Sequence, residues 1–201
     1  MCFDFYYPVA CSFLRKRREG VRQIKGSDTR QSAPARREEK AMINLLYCGN
    51  KRVFDGLLIS LLSIARKTDR QLNVYVFTVD LRNLDPKFSP ITVEQTTFLE
   101  KMIKKYNSDS SITLLDITGL FMSEMGNSKN IFGFYTPYTL LRLFCDKVPE
   151  LPDKLLYMDA DTVAMKDIGE LFDIDVEGYE FAASIDYIGK FFLGPRYLNA
   201  G

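Results

Sequence analysis

Residues 155–163 read LLYMDADTV, an apolar run that ends in two aspartates, Asp159 and Asp161. The segment 154–158, KLLYM, has the length and apolar character of a buried strand. Carboxylates at positions i and i+2 of an extended segment project to the same side, so two like charges meet at the end of this strand. A divalent cation would relieve their repulsion, and oxygen ligands suit Mn²⁺ or Mg²⁺. The stretch therefore predicts a strand end that holds an ion and, on it, a phosphorylated ligand.

The rest of the chain alternates between strand-like and helix-like patterns. The strand-like segments are 43–48, 72–79, 111–117, 154–158 and 179–185, and the helix-like segments are 53–68, 89–106 and 136–146. Strand and helix in alternation predict an α/β fold with a mainly parallel sheet. Ligands of such sheets bind beyond the carboxyl ends of the strands, which is where Asp159 and Asp161 fall.

Composition excludes several function classes. The 201 residues are 46% hydrophobic and 26% charged with a net charge of +1, which favours an ordinary globular domain and gives no reason to expect nucleic acid as a partner. Histidine is absent, which excludes Ser-His-Asp and Cys-His catalysis and histidine-ligated metals built from this chain alone. Any chemistry must use carboxylates, hydroxyls, Lys and Arg, the backbone and metal ions.

The four cysteines are scattered and form no CxxC pair, so neither a disulfide framework nor a zinc site is predicted. No apolar run approaches the roughly 20 residues needed to cross a bilayer. The first residues carry their basic cluster after the apolar stretch, which is the wrong order for a secretory signal. These features predict a cytoplasmic setting, with peripheral attachment to a membrane as the open alternative.

Residues 1–41 differ from the rest of the chain. Residues 1–40 contain ten basic and five acidic residues, and 15–41 are polar without periodicity, which predicts a disordered basic extension. Met42, directly before the strand INLLYC, is the expected natural start, and a basic arm that touches a membrane or partner is the alternative. Residues 42–201 are then expected to form the N-terminal portion of one domain, because the end at YLNAG looks like a truncation.

Five motifs in order resemble glycosyltransferase family 8, the retaining enzymes that use nucleotide sugars. They are INLLYCGNKRVFDGLLISLLSI, YTPYTLLRLF, LLYMDADTVAMKDIGELF, ASIDY and YLNAG, which together cover nearly all of 43–201. The resemblance implies a Rossmann-like, GT-A type fold with its C-terminal part missing. It also implies a hexosyltransferase that uses UDP-glucose or UDP-galactose, Mn²⁺ or Mg²⁺ and a saccharide acceptor such as a glycan or lipopolysaccharide.

The resemblance also implies roles at the metal and the nucleotide. Asp159 and Asp161 would bind the ion, Asp161 most directly, and the backbone of Ala160 would lie near the ribose. The family often has aspartate where Asn50 stands, so the contact with the base is expected to be altered. The residues implied to bind the nucleotide are Tyr47, Cys48 and Asn50, around the uracil, and Arg52.

For the transferred sugar, the resemblance implies three catalytic residues. Arg142 would contact the sugar or the diphosphate, where a planar guanidinium suits phosphate oxygens. Asp186 and Asn199 would bind sugar hydroxyls, which need both donors and acceptors for orientation. The family's metal shell includes a downstream histidine that this sequence lacks, so we expect weaker nucleotide binding than in a full-length relative and little or no transfer.

Each of these residues also has a purely structural interpretation. Arg142 could pair with Asp146 at i+4 on a helix, Asp186 could be an ordinary strand-end acid, and Asn199 could belong to a turn. The other structural alternatives are Tyr47 and Cys48 as core residues, Tyr135 and Tyr138 as packing residues, and Asp159 and Asp161 as loop and capping residues before a short helix at 167–171.

Two other functions compete with the transferase. In phosphohydrolases of the haloacid dehalogenase type, DxD also follows a strand, and its first aspartate attacks phosphorus. Those enzymes place DxD after the first strand of the domain, whereas here it follows the fourth predicted strand. A non-catalytic nucleotide-binding module is the third possibility, and the missing histidine favours it.

Overall fold

The computed structural model describes residues 12–15, 42–128, 131, 136–177, 179 and 181–183. The described strands are β1 (Ser12–Arg15), β2 (Ile43–Cys48), β3 (Leu72–Thr78), β4 (Ser111–Asp116), β5 (Lys154–Tyr157) and β6 (Phe181–Ala183). The described α-helices are α1 (Phe54–Ala65), α2 (Val93–Ile103), α3 (Thr118–Met125) and α4 (Gly169–Phe172). Two 3₁₀ segments, Lys51–Val53 and Pro137–Lys147, complete the set. Among the described residues, every helix is too short or too polar to span a bilayer.

The described strands form one sheet in the order β4-β3-β2-β5-β1-β6. Strands β4, β3, β2 and β5 are parallel, and β1 pairs antiparallel with both β5 and β6. This arrangement confirms the predicted α/β fold and the mainly parallel sheet. The chain runs outward from β2 to β3 and β4 and then crosses to β5 on the other side of β2. The carboxyl ends of β2 and β5 therefore flank a topological switch point, where ligands of such sheets bind.

Alternation along the strands divides the core between the two faces of the sheet, because successive side chains point to opposite faces. One face carries Leu45 and Tyr47 of β2, which pack against α1 and α2. The other face carries Leu46 and the partly buried Cys48, which pack against α3 and the Pro137–Lys147 segment. Adjacent residues at the end of β2 thus belong to different layers.

The Pro137–Lys147 segment has the predicted start, with Thr136 as N-cap and Pro137 in the first turn, but it is a 3₁₀ helix rather than an α-helix. A 3₁₀ helix has three residues per turn, so side chains line up at i and i+3. The row Tyr138, Leu141 and Phe144 is buried in the core. The next row begins with Thr139 and Arg142, which therefore face away from the core.

Two elements were not predicted. β1 lies within the extension predicted to be disordered, although the rest of 1–41 is outside the described residues and that prediction stays open there. Helix α3 directly follows β4, where Asp116 Oδ1 accepts a 2.9 Å hydrogen bond from the Thr118 amide.

Helix α2 begins later than predicted, at Val93, because Thr92 and Gln95 form a capping box there.

Candidate active site

An open cleft of about 660 Å³ lies at the carboxyl ends of β2 and β5. Its size is within the range of small-molecule sites, and its place is the topological switch point. The predicted residues that line it are Cys48, Asn50, Arg52, Arg142, Asp159, Ala160 and Asp161. The structure thus brings together residues from the loop after β2, the Pro137–Lys147 segment and the loop after β5.

The DAD loop (residues 159–162) follows β5 and forms one wall of the cleft. The Asp159 carbonyl accepts hydrogen bonds from the Thr162 amide at 3.2 Å and from Thr162 Oγ1 at 2.8 Å, which closes the loop into a turn. The Ala160 carbonyl lies so close to α1 that a Cβ on Gly56 would approach its oxygen to 2.7 Å. Asp161 is exposed and Asp159 is half-buried, so both carboxylates can reach a ligand.

Arg142 lies beside the DAD loop in the cleft. Its guanidinium lies 4.4 Å from the centroid of the Tyr157 ring, and its Nη2 is 3.6 Å from Asp159 Oδ1. Its Nε donates to the Thr139 carbonyl at 2.9 Å, three residues back, which orients the side chain. The ion pair of Arg142 is thus with Asp159 and not, as the structural alternative had it, with Asp146. The reason is the 3₁₀ geometry, since i and i+4 do not share a row there.

Burial sets the electrostatics of the cleft floor. It raises the pKa of the Tyr157 hydroxyl, and the nearby Cys48 and the hydrogen bond that this hydroxyl donates to Asp159 Oδ1 raise it further. Burial also raises the pKa of the Cys48 thiol, and Cys145 adds to that effect while Arg142 opposes it. Tyr157 and Cys48 are therefore neutral at physiological pH, and the charges of this wall are those of Arg142 and Asp159.

The far end of the cleft is built by the loop after β2. The Gly49 carbonyl accepts from Thr78 Oγ1 at 3.0 Å, and Asn50 Oδ1 accepts from the Arg52 amide at 3.0 Å. A Cβ on Gly49 would lie 2.3 Å from a methyl group of Val53, so a larger residue at this turn would force Val53 to move. Phe88 and Lys87 close this end, with the Lys87 ammonium 5.0 Å from the Phe88 ring centroid. This end therefore offers backbone, an aromatic ring and cations.

Tyr47 does not reach the cleft. Its side chain is 1% exposed and lies on the α1 face of the sheet, where its hydroxyl shares a 2.8 Å hydrogen bond with Ser60 Oγ. The core alternative therefore describes Tyr47, and the period of two along β2 explains why Cys48 lines the cleft while Tyr47 cannot. Tyr138 is also buried and donates to the Val79 carbonyl at 3.2 Å, which agrees with its expected packing role. Asp186, Asn199 and Tyr135 lie outside the described residues.

The sequence reasoning missed several residues of the cleft. Tyr157 is the last residue of β5 and precedes Asp159 by two positions. The period of two along a strand therefore predicts that both side chains lie on the same side of the sheet. The loop residues Lys87 and Phe88 follow β3 and carry no local signal. Gly49, whose lack of a side chain was expected to let the backbone approach a base closely, also lines the cleft. The other residues of the lining that were not predicted to bind a ligand are Val53, Gly56, Thr136, Tyr138 and Thr139.

The residues present can hold part of a metal shell. Within the described ranges, His, Cys, Asp and Glu side chains nowhere gather in a group of three that could hold an ion. Asp159 and Asp161 supply two carboxylates, and the contacts of Asp159 with Tyr157 and Arg142 both fall on Oδ1. Mg²⁺-like ions commonly bind one or two carboxylates and take waters and substrate phosphates for the rest. The donor set fits an ion of this kind.

Comparison with known proteins agrees with this geometry. The model of glycosyl transferase family 8 matches residues 44–198. The chain belongs to glycosyltransferase family 8. It is 30% identical over 168 residues to the glycosyltransferase GlyA of Streptococcus pneumoniae serotype 4, a match that covers 83% of this chain and 21% of the relative. This family 8 chain thus spans about a fifth of the length of that relative.

Two solved structures share the fold of the family 8 chain. The bifunctional glycosyltransferase WbbM has a TM-score of 0.50 and 18% identity, and the match covers 72% of this chain and 23% of WbbM. An active-site mutant of LgtC has a TM-score of 0.50 and 14% identity, with 67% of this chain and 43% of LgtC covered. The fold is therefore the GT-A type that the resemblance implied.

Proposed function

We propose that this family 8 chain binds a UDP-hexose, with glucose or galactose as the hexose, and takes part in its retaining transfer to a saccharide acceptor. The observation that carries the proposal is the pair Asp159 and Asp161, which lines a cleft at the switch point together with Arg142. Membership of family 8 decides against the haloacid dehalogenase alternative. The cleft has room for a nucleotide, and its cations are distributed along its length.

Asp159 and Asp161 would hold the divalent ion, which when bound supplies Lewis-acid stabilisation of the diphosphate. Arg142 is stacked on Tyr157 and bonded to the Thr139 carbonyl, so its guanidinium is already oriented toward the cleft. As the bond between the sugar and the diphosphate breaks, the electron pair goes to the departing UDP, and a fixed cation stabilises that charge. The acceptor oxygen forms the new bond to the sugar, and its proton passes to the departing diphosphate or to water.

The far end of the cleft suits the uridine. Hydrogen bonds with Thr78 Oγ1 and with the Asn50 side chain hold the loop 49–52 in place. Gly49 has no side chain, so a ligand can approach the backbone closely. Burial raises the pKa of the Tyr138 hydroxyl to about 12, so it stays neutral beside Asn50. Arg52 and Lys87 lie at the rim, where they can meet phosphate charge. Asp186 and Asn199 stay proposals as ligands of the sugar hydroxyls.

The test is a calorimetric titration of UDP into the full chain, with and without Mn²⁺. We expect Mn²⁺ to tighten UDP binding and Asp161→Asn to abolish that gain, because the substitution replaces a charged ligand with a neutral one. Asp109→Asn is the matched control, since Asp109 is exposed and lies before the edge strand β4, at the amino ends of the parallel strands and away from the cleft. UDP binding that Mn²⁺ does not affect, in a sample with the circular dichroism of a folded α/β protein, would point instead to a non-catalytic nucleotide-binding module.

A further inference from the structure

A chain of buried hydroxyl groups connects the DAD loop to α1 and β2. The Tyr47 hydroxyl lies 2.8 Å from Ser60 Oγ, which lies 3.3 Å from Thr162 Oγ1, which donates to the Asp159 carbonyl at 2.8 Å. All three side chains are buried, with exposures of 1%, 0% and 7%. The chain therefore joins β2, α1 and the DAD loop through neutral groups only.

The hydrogen-bond direction is determined at the Thr162 end of this chain. Each hydroxyl has one proton, and Thr162 uses its proton on the Asp159 carbonyl. With that proton in use, Thr162 can only accept from Ser60, whereas the Tyr47 hydroxyl has two acceptors within reach, Ser60 Oγ at 2.8 Å and the Met158 sulfur at 3.8 Å. The protons of Thr162 and Ser60 thus point toward the residue that carries the first carboxylate of the DAD loop. Chains of this kind polarise one another in a buried setting, and a missing member leaves a buried polar group without a partner.

A second attachment lies one turn further along α1. Ser63 Oγ accepts from the Ala164 amide at 2.8 Å and donates to the Ser60 carbonyl at 2.7 Å. The close approach of Gly56 to the Ala160 carbonyl adds a third contact on the same side of the helix. The loop is thus fixed to α1 on both sides of Asp161, although the Asp161 side chain itself is exposed.

We propose that Thr162, Ser60 and Tyr47 are positioning residues that hold the DAD loop in one conformation before any ligand binds. Their value for the ion rests on the proposed function, since it assumes that Asp159 and Asp161 bind a metal with UDP. The proposal also gives Tyr47 a place in the site: it acts through the hydroxyl chain and not by contact with the base. Groups that orient metal ligands typically affect metal affinity by about 10- to 100-fold when they are removed.

The central variant is Thr162→Val, which keeps the shape of the side chain and removes the hydroxyl. We expect the gain in UDP affinity from Mn²⁺ to fall about tenfold, at the lower end of the range for such groups because the main-chain hydrogen bond at Asp159 remains. Thr162→Ser should restore the gain. Ser60→Ala and Tyr47→Phe should have successively smaller effects, because they act through Thr162. Thr96→Val is the matched control, since Thr96 is a buried threonine in α2 that donates to the Val93 carbonyl at 3.0 Å.

A merely structural role would lower the free energy of unfolding in Thr162→Val and Thr96→Val alike and leave the Mn²⁺ gain unchanged, and that result overturns the proposal. Amide exchange by NMR gives a second readout that needs no ligand. The Thr162 and Ala164 amides should exchange faster in Ser60→Ala than in the parent chain, even if Thr162→Val fails to fold. Unchanged exchange overturns the proposal. Absence of any Mn²⁺ gain in the parent chain overturns the proposed function instead, and exchange still decides whether the hydroxyls hold the loop.

Discussion

The two faces of the sheet carry different polar groups at the point where β2 and β5 end. On the α1 face, neutral hydroxyls are buried and bonded to one another, as Ser60 and Thr162 show. On the opposite face, Arg142 and Asp159 are charged, half-buried and form an ion pair, with Arg142 Nη2 3.6 Å from Asp159 Oδ1. Neutral groups whose hydrogen bonds are satisfied can be buried at little cost in free energy, whereas charged groups need water or an oppositely charged partner. The difference suggests that one face sets the geometry of the loop and the other meets the ligand.

The largest expected effect is on the charged face, at Arg142. Arg142→Ala should weaken UDP binding in the presence of Mn²⁺ by about 10- to 100-fold, the value of a hydrogen bond to a charged group. Binding of Mn²⁺ alone should not weaken, because the cation that competes for Asp159 Oδ1 is gone. Calorimetry with each ligand separately measures both. Arg66→Ala, at an exposed position after α1, is the control, and equal loss of both affinities would contradict the division between the faces.

The next effect is on the neutral face, at Gly56. Gly56→Ala would place a Cβ 2.7 Å from the Ala160 carbonyl oxygen, so α1 and the DAD loop must move apart. Overpacking of this kind lowers the free energy of unfolding by about 1–3 kcal/mol, which denaturant titration measures. Gly119→Ala is the control, because a Cβ there would meet nothing within 4 Å. An unchanged free energy in Gly56→Ala would mean that the loop is less tightly held than the contacts indicate.

The smallest effect is a dependence of stability on pH that comes from the thiols beside Arg142. Burial raises the pKa of the Cys145 thiol from 9.0 to about 12. The unfolded chain loses the Cys145 proton near pH 9, whereas the folded chain keeps it until about pH 12. The contribution of this thiol to the free energy of unfolding is therefore fully present below pH 9 and is lost as the pH rises from 9 to 12. Each such group contributes a slope of about 1.4 kcal/mol per pH unit at most.

Denaturant titration under reducing conditions should show this fall, and it should be shallower in Cys145→Ser. Since Cys48 titrates in the same direction, a part of the slope should persist in that variant. A steeper fall in Cys145→Ser than in the parent chain would contradict the assignment.

Patterns of short range predicted most of the fold. The strands at 43–48 and 111–117 and the DAD strand end were readable because apolar runs, charges and capping residues are local signals. Strand β1 was not, since Ser12–Arg15 is separated from β5 by well over a hundred residues and its own composition is ambiguous. Long-range pairing of that kind leaves little trace in a single sequence.

The sequence predicted which motifs form the site but not how their side chains are arranged. Asp159, Asp161 and Arg142 were found because they fall in motifs, and the structure brings them to one cleft. Tyr47 was placed on the wrong side, although alternation along β2 already separates it from Cys48. The hydroxyl chain was invisible, because serine and threonine in α1 and after the DAD loop look like ordinary polar residues until the fold brings them together.

The 3₁₀ form of the Pro137–Lys147 segment has a consequence for how Arg142 is aimed. An α-helix turns about 100° per residue and a 3₁₀ helix about 120°, so over the four residues from Tyr138 the two forms differ by about 80°. The same sequence wound as an α-helix would also be shorter, by about 0.5 Å per residue. Winding alone would therefore rotate the guanidinium away from the loop without any change in the residue itself. A substitution at the exposed Leu143 that favours α-helical winding would therefore weaken ligand binding without changing any residue that lines the cleft.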